Sequence, residues 1–276
     1  MTISVDAPNE VSPAARALSD GVAKMGGDRW IFVFMASLFL VTTLTGFIPD
    51  SLAKIAAVHA DARPPFPPIL HIHAVLMACW LLLLFIQTSL VATGRGAAHR
   101  SLGMASFAFL PAIVVVGVIL VPTMYRAAWS AAQLAPPDTK DALQSGLKIL
   151  SDIALLQIRI GLFFPLFVAL ALLKRRSDPT LHKRWIILAT AITLPAATDR
   201  IGWLPTTWPS SPLSSDLWVL LLIAPMFAWD LFRMRRIHRA YITWAAVYLP
   251  SIVAVNLLWN SPAWLAMAPR LIGAVP

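Results

Sequence analysis

The stretch 70–119 runs through a long apolar segment opened by His71 and His73, turns within GRGAAHRSLG, and enters a second apolar segment. Each segment reaches across a hydrocarbon core of about 30 Å at about 1.5 Å per helical residue. Backbone that crosses lipid must satisfy its own hydrogen bonds, so the pair reads as a transmembrane helical hairpin. The hairpin places the chain in the all-α class, as an integral membrane helical bundle.

Composition agrees, with 58% hydrophobic residues, 13% charged and a mean hydropathy of +0.74, where soluble domains carry about 25% charged residues. The net charge of +9 resides in short clusters between apolar spans, where Lys and Arg act as topology signals, so nucleic acid is not an expected partner and the lipid bilayer is. The single cysteine, Cys79, lies inside an apolar span. An intrachain disulfide and a CxxC motif are therefore excluded, and redox chemistry would need a cofactor.

Seven spans are expected, at 30–48, 69–92, 104–121, 147–173, 185–204, 217–232 and 241–259, the sixth being short and interrupted by Pro225. Residues 1–29 read as a disordered cytoplasmic tail, 30–260 as the seven-helix membrane domain and 261–276 as a short outer tail. Fourteen Lys and Arg fall on the side of the tail and of the turns after spans two, four and six, against seven on the other side. The positive-inside rule then puts the amino terminus in the cytoplasm, as for a multi-pass protein of a bacterial inner membrane. The outer loops are longer, and 127–145 reads as an outer helix lying along the interface. Trp129, Trp203, Trp208 and Trp218 form an expected aromatic belt.

Three basic hinges repeat one design, a histidine followed by a basic residue at the start of an outgoing span: His99-Arg100, His182-Lys183 and His238-Arg239. Such histidines satisfy helix ends and lipid phosphates. A second reading makes them cofactor ligands, since haem b needs imidazoles from different helices at one depth, with cations for its propionates. A tri-histidine metal site with Asp230 is opposed by the surrounding cations. His71 and His73 point about 200° apart on a helix, so one of them faces the bundle.

Arg159 sits near the middle of the fourth span, where a charge costs roughly 2.5–3.5 kcal/mol on insertion scales and must be paired. Asp152 lies seven residues earlier on the same face. With Asp199, Arg200, Arg126, His71 and His73 it outlines an expected polar ligand site in the outer half of the bundle, or a purely structural ion-pair network.

The residues His71, Gln87, Arg95, His99, Arg100 and Gly103, then Asp152, the HKRW run from His182, Arg200, and Asp230 to His238, resemble a group of uncharacterised bacterial multispan membrane proteins that are grouped as domains of unknown function. The resemblance covers about 69–245 and implies fold and location, without an activity. The histidine-bearing hairpins are also similar in architecture to b-type di-haem membrane cytochromes, whose ligand histidines form matched inner and outer pairs that this chain lacks. Two functions are expected from these features. One is a small-solute carrier, or an accessory subunit working with other membrane subunits, that uses the polar cavity. The other is a redox protein holding haem b or a quinone. The sequence does not decide whether the protein is an enzyme.

Overall fold

Proline opens most of the helices of this chain, because at the first helical position its missing N–H is one that no intrahelical carbonyl would have received. The computed structural model describes residues 13–274, with side chains from residue 28, and every regular element among them is a helix. The helices are α1 (Pro13–His59), α2 (Pro68–Ala92), α3 (Gly96–Gly103), α4 (Ser106–Gln133), α5 (Pro137–Lys174), α6 (Pro179–Ala191), α7 (Pro195–Thr198), α8 (Leu213–Met234), α9 (Arg239–Leu258) and α10 (Pro262–Leu271).

Six segments are long and apolar enough to cross a membrane: Asp28–His59, Pro68–Ala92, Gly96–Gln133, Pro137–Lys174, Leu213–Met234 and Arg239–Leu258. The expected fifth span is the exception, although the sixth had the weaker sequence signal. Its residues form α6, a tight turn and the four-residue α7. Pro195 cannot donate to residue 191 and its ring crowds that carbonyl; the α-helix stops here, whereas α5, α8 and α9 continue through Pro165, Pro225 and Pro250. The turn is held instead by short-range bonds, Ile192 N–H to the Ala189 carbonyl at 3.2 Å and Thr193 Oγ1 to the Thr190 carbonyl at 2.8 Å. At about 20 Å, α6 is too short to cross alone.

One other expectation is corrected, and the two terminal segments gain detail. Residues 127–145 are not a separate interfacial helix: Ala-rich sequence with high helix propensity extends α4 to Gln133, and Pro137 restarts the chain as α5. Helix α1 begins at Pro13 and so takes in 13–29 of the expected tail, whose first residues lie outside those described. The expected outer tail holds α10, which docks Trp264 with 2% exposure.

The broken segment α6–α7 lies at the centre of the bundle, against α1, α5, α8 and α9. Ile187, Leu188, Ala189, Ala191 and Ile192 are wholly buried there, among Phe39, Phe167, Val168, Val219 and Met226. Gly46 of α1 meets α7 so closely that a Cβ would collide with the Ala197 carbonyl. A second core of Tyr125, Leu155, Trp259 and Trp264 joins α4, α5, α9 and α10.

The contacts define two ends. At the basic end, Asp28 pairs with Arg233 at 3.0 Å, and Asp178 pairs with Arg239. At the opposite end, Arg200 pairs with Asp50 at 3.2 Å, and Arg126 donates to the Gly273 carbonyl at 2.8 Å.

Candidate ligand cavity at the basic end

Helices α2 and α3 meet at the first basic hinge, where Gly103 leaves room: a Cβ there would lie 3.4 Å from Gln87 Nε2. Beside them, α5 ends and α6 begins at the second hinge. The four helices and the start of the first span enclose a cavity of about 500 Å³. Its walls are apolar, with Phe32, Trp80, Leu84, Phe107, Leu172 and Ile187. Its polar groups include Arg29, Arg100, Arg175, Arg176 and Lys183, the histidines His99 and His182, Gln87, Thr88 and Ser106, with no carboxylate among the described lining residues.

None of the five basic side chains pairs with a carboxylate among the described residues. Arg175 and Lys183 rest instead over the rings of Phe107 and Phe32, at 5.1 and 4.8 Å. Five like charges around one apolar space repel each other, and an anion placed among them relieves that repulsion.

His182 Nδ1 lies 2.9 Å from the Ala171 carbonyl. A carbonyl can only accept, so this contact puts the proton on Nδ1 and leaves Nε2 with its lone pair. His99 lines the same cavity, and its buried Nδ1 has no hydrogen-bond partner among the described residues. Both heteroatoms of the Gln87 amide are also buried without a partner. Buried polar atoms of this kind are open to completion by a ligand or by solvent, and others lie outside the cavity, at His73, Arg159 and Asp216.

The third hinge histidine is elsewhere. His238 caps α9, its Nδ1 accepting from the Ala240 N–H at 3.1 Å, and burial followed by the Arg184 charge holds its pKa below the ordinary imidazole value. No cluster of three or more His, Cys, Asp or Glu suited to a metal ion occurs among the described residues.

The residues expected to form an outer polar site are distributed over separate ties. Arg159 pairs with Asp216 of α8 rather than with Asp152, Nη2 lying 2.5 Å from Oδ1, both side chains buried. The Tyr248 hydroxyl donates to the same oxygen at 3.2 Å. Asp152 accepts from the Asn260 N–H at 3.0 Å and so ties α5 to the link between α9 and α10. Asp199 accepts from Ser215 at 2.8 Å; although part of the residue is exposed, partial desolvation of its carboxyl raises the pKa to about 6, against the pull of Ser215. Arg200 and Arg126 make the end contacts described above. His71 is exposed, and His73 is half-buried with Nδ1 unpartnered.

Sequence reasoning missed two things here. Asp216 was placed just outside the sixth span, but the helix starts at Leu213 and draws it inside. Arg175, Arg176 and Lys183 were read as topology signals and as hinge cations for haem propionates, but nothing in one sequence says that they converge on one cavity with Gln87 and Trp80. Gln87, His99, Arg100, Gly103 and His182, quoted above for the family resemblance, do converge there. No family model, curated protein or solved structure matches this chain.

Proposed function

We propose that this protein is a multi-pass inner-membrane protein that binds an amphiphilic anion in its basic-end cavity, serving as a carrier or accessory subunit for that ligand. One observation carries the reading: among the described residues, five basic side chains and no acidic one line an apolar-walled cavity. A ligand with an apolar body and a negative group satisfies both halves of such a lining, and pockets of this volume fall within the usual range of about 300–1,000 Å³. The excess of Lys and Arg puts the cavity on the cytoplasmic side, and α6–α7 provides the seventh crossing as a broken helix packed inside protein. Arg159, on which an outer-half site would depend, already has Asp216 as its partner.

The test is binding of a fluorescent long-chain carboxylate, and of its uncharged methyl ester, to the detergent-purified protein. The acid should bind at least about tenfold more tightly than the ester, and Arg100→Glu with Arg175→Glu should remove the difference. Equal binding of acid and ester, or indifference to charge reversal, overturns the proposal.

Gln87 favours a second reading, since an amide with a free donor and a free acceptor suits the carbonyl and hydroxyl of a quinone headgroup. Gln87→Leu would then abolish competition by a short-chain quinone and leave carboxylate binding intact.

A further inference from the structure

Resting on the cavity as a site for an amphiphilic anion, the geometry points to haem b as that ligand, with His182 Nε2 as the axial donor to its iron. A simple lipid anion requires the cations and the apolar wall, and makes no use of the lone pair that the Ala171 hydrogen bond leaves on His182 Nε2. Haem uses all three features. Its porphyrin is a flat apolar body, its two propionates are carboxylates, and its iron takes a neutral imidazole nitrogen.

The imidazole of His182 is prepared for that bond. Its Nδ1–H is directed to the Ala171 carbonyl at 2.9 Å, which sets the tautomer and the ring orientation and raises the basicity of Nε2, as partners of metal-bound histidines do. The hydrogen bond comes from the last turns of α5, so the ligand is held by the helix next to its own. His99 reaches the same cavity from α3, with an orphaned buried nitrogen. Trp80, Phe32 and Phe107 supply aromatic faces for a macrocycle. The cations lie at both hinges, Arg100 at one and Arg175, Arg176 and Lys183 at the other, in reach of carboxylates leaving the cavity at the basic end.

The full chain, expressed in haem-sufficient cells and purified in detergent, is examined by oxidised and dithionite-reduced spectra and by a pyridine haemochrome assay. The expected result is a Soret band, a reduced α-band and about one haem per chain. His182→Asn keeps an N–H for the Ala171 carbonyl but offers iron only a weak ligand, and should lower haem content at least about tenfold while the protein stays monodisperse and still binds the fluorescent carboxylate. His238→Ala, away from the cavity, should keep its haem. Full haem in His182→Asn overturns the ligand assignment. A colourless wild-type protein that takes up no added hemin, yet binds the carboxylate, overturns haem and leaves the anion site standing. Loss of both kinds of binding overturns both.

Discussion

Arg159 holds Asp216 by a single nitrogen, 2.5 Å from Oδ1, and leaves Oδ2 bare, as it leaves its own Nε and Nη1. Fourteen residues along α8, Asp230 is gripped quite differently. Arg184 reaches it with Nε and Nη2 at 2.7 and 2.6 Å, and Tyr241 donates to it at 2.6 Å. The two Arg–Asp–Tyr groups thus differ in how far their hydrogen bonds are satisfied. Removing one member of a buried pair strands the other charge, at about 3–5 kcal/mol. Asp216→Ala should therefore lower thermal stability in detergent sharply, and Arg159→Met added to it should restore most of the loss. A double variant no better than the single one would show that Asp216 acts through something other than this charge.

His99 is the second cavity histidine, and its replacement tests its part in the site. If the cavity holds haem with His99 as a second axial ligand opposite His182, His99→Ala should retain the haem and change the spectrum from six-coordinate low-spin to five-coordinate high-spin. Unchanged spectra would exclude His99 from the iron, and loss of haem would give it the leading role instead of His182.

Gly46 and Gly103 should respond in opposite ways. At Gly46 a methyl group runs into the fixed carbonyl of Ala197, so Gly46→Ala should cost about 1–3 kcal/mol through overpacking between α1 and α7. At Gly103 the obstacle is the tip of the Gln87 side chain, which can turn away. Gly103→Ala should leave the melting temperature nearly unchanged, while Gly103→Leu fills that corner and weakens ligand binding.

Asp199 gives the fold a pH dependence of predictable sign. Its folded pKa is raised to about 6, above the ordinary carboxylate value of about 3.9, so the stabilising contribution of the protonated form is present at low pH and is lost as pH rises through about 6. Asp199→Asn should accordingly melt at a higher temperature than the wild type near pH 8 and at a similar one near pH 4. The reverse pattern would mean that the Ser215 hydrogen bonds outweigh the desolvation.

The membrane class and most of the helices were legible because a long apolar run has few alternatives in lipid. The three hinges were also legible, and two of them frame the cavity. Pairings across the bundle were not, since Arg159 gives no local sign that its partner is fifty-seven residues away on α8 rather than seven away on its own helix. Helix ends were misjudged where propensity outlasts hydropathy, as at 122–133. The break at Pro195 is visible as a residue, but its effect depends on the protein packed around it.

The buried break between α6 and α7 also bears on how the chain is made. A segment of thirteen helical residues that carries His182, Lys183 and Arg184 is a poor substrate for insertion on its own. Arg184 finds its carboxylate only on α8, which is synthesised later. A central segment of this kind is expected to enter the bundle only with the helices that enclose it, so its insertion should depend on α8 and α9, which supply Asp230 and Tyr241 to Arg184 and its partner. Truncation before α8 should then leave residues 179–198 accessible to water-soluble thiol reagents at introduced cysteines, whereas the full chain should protect them.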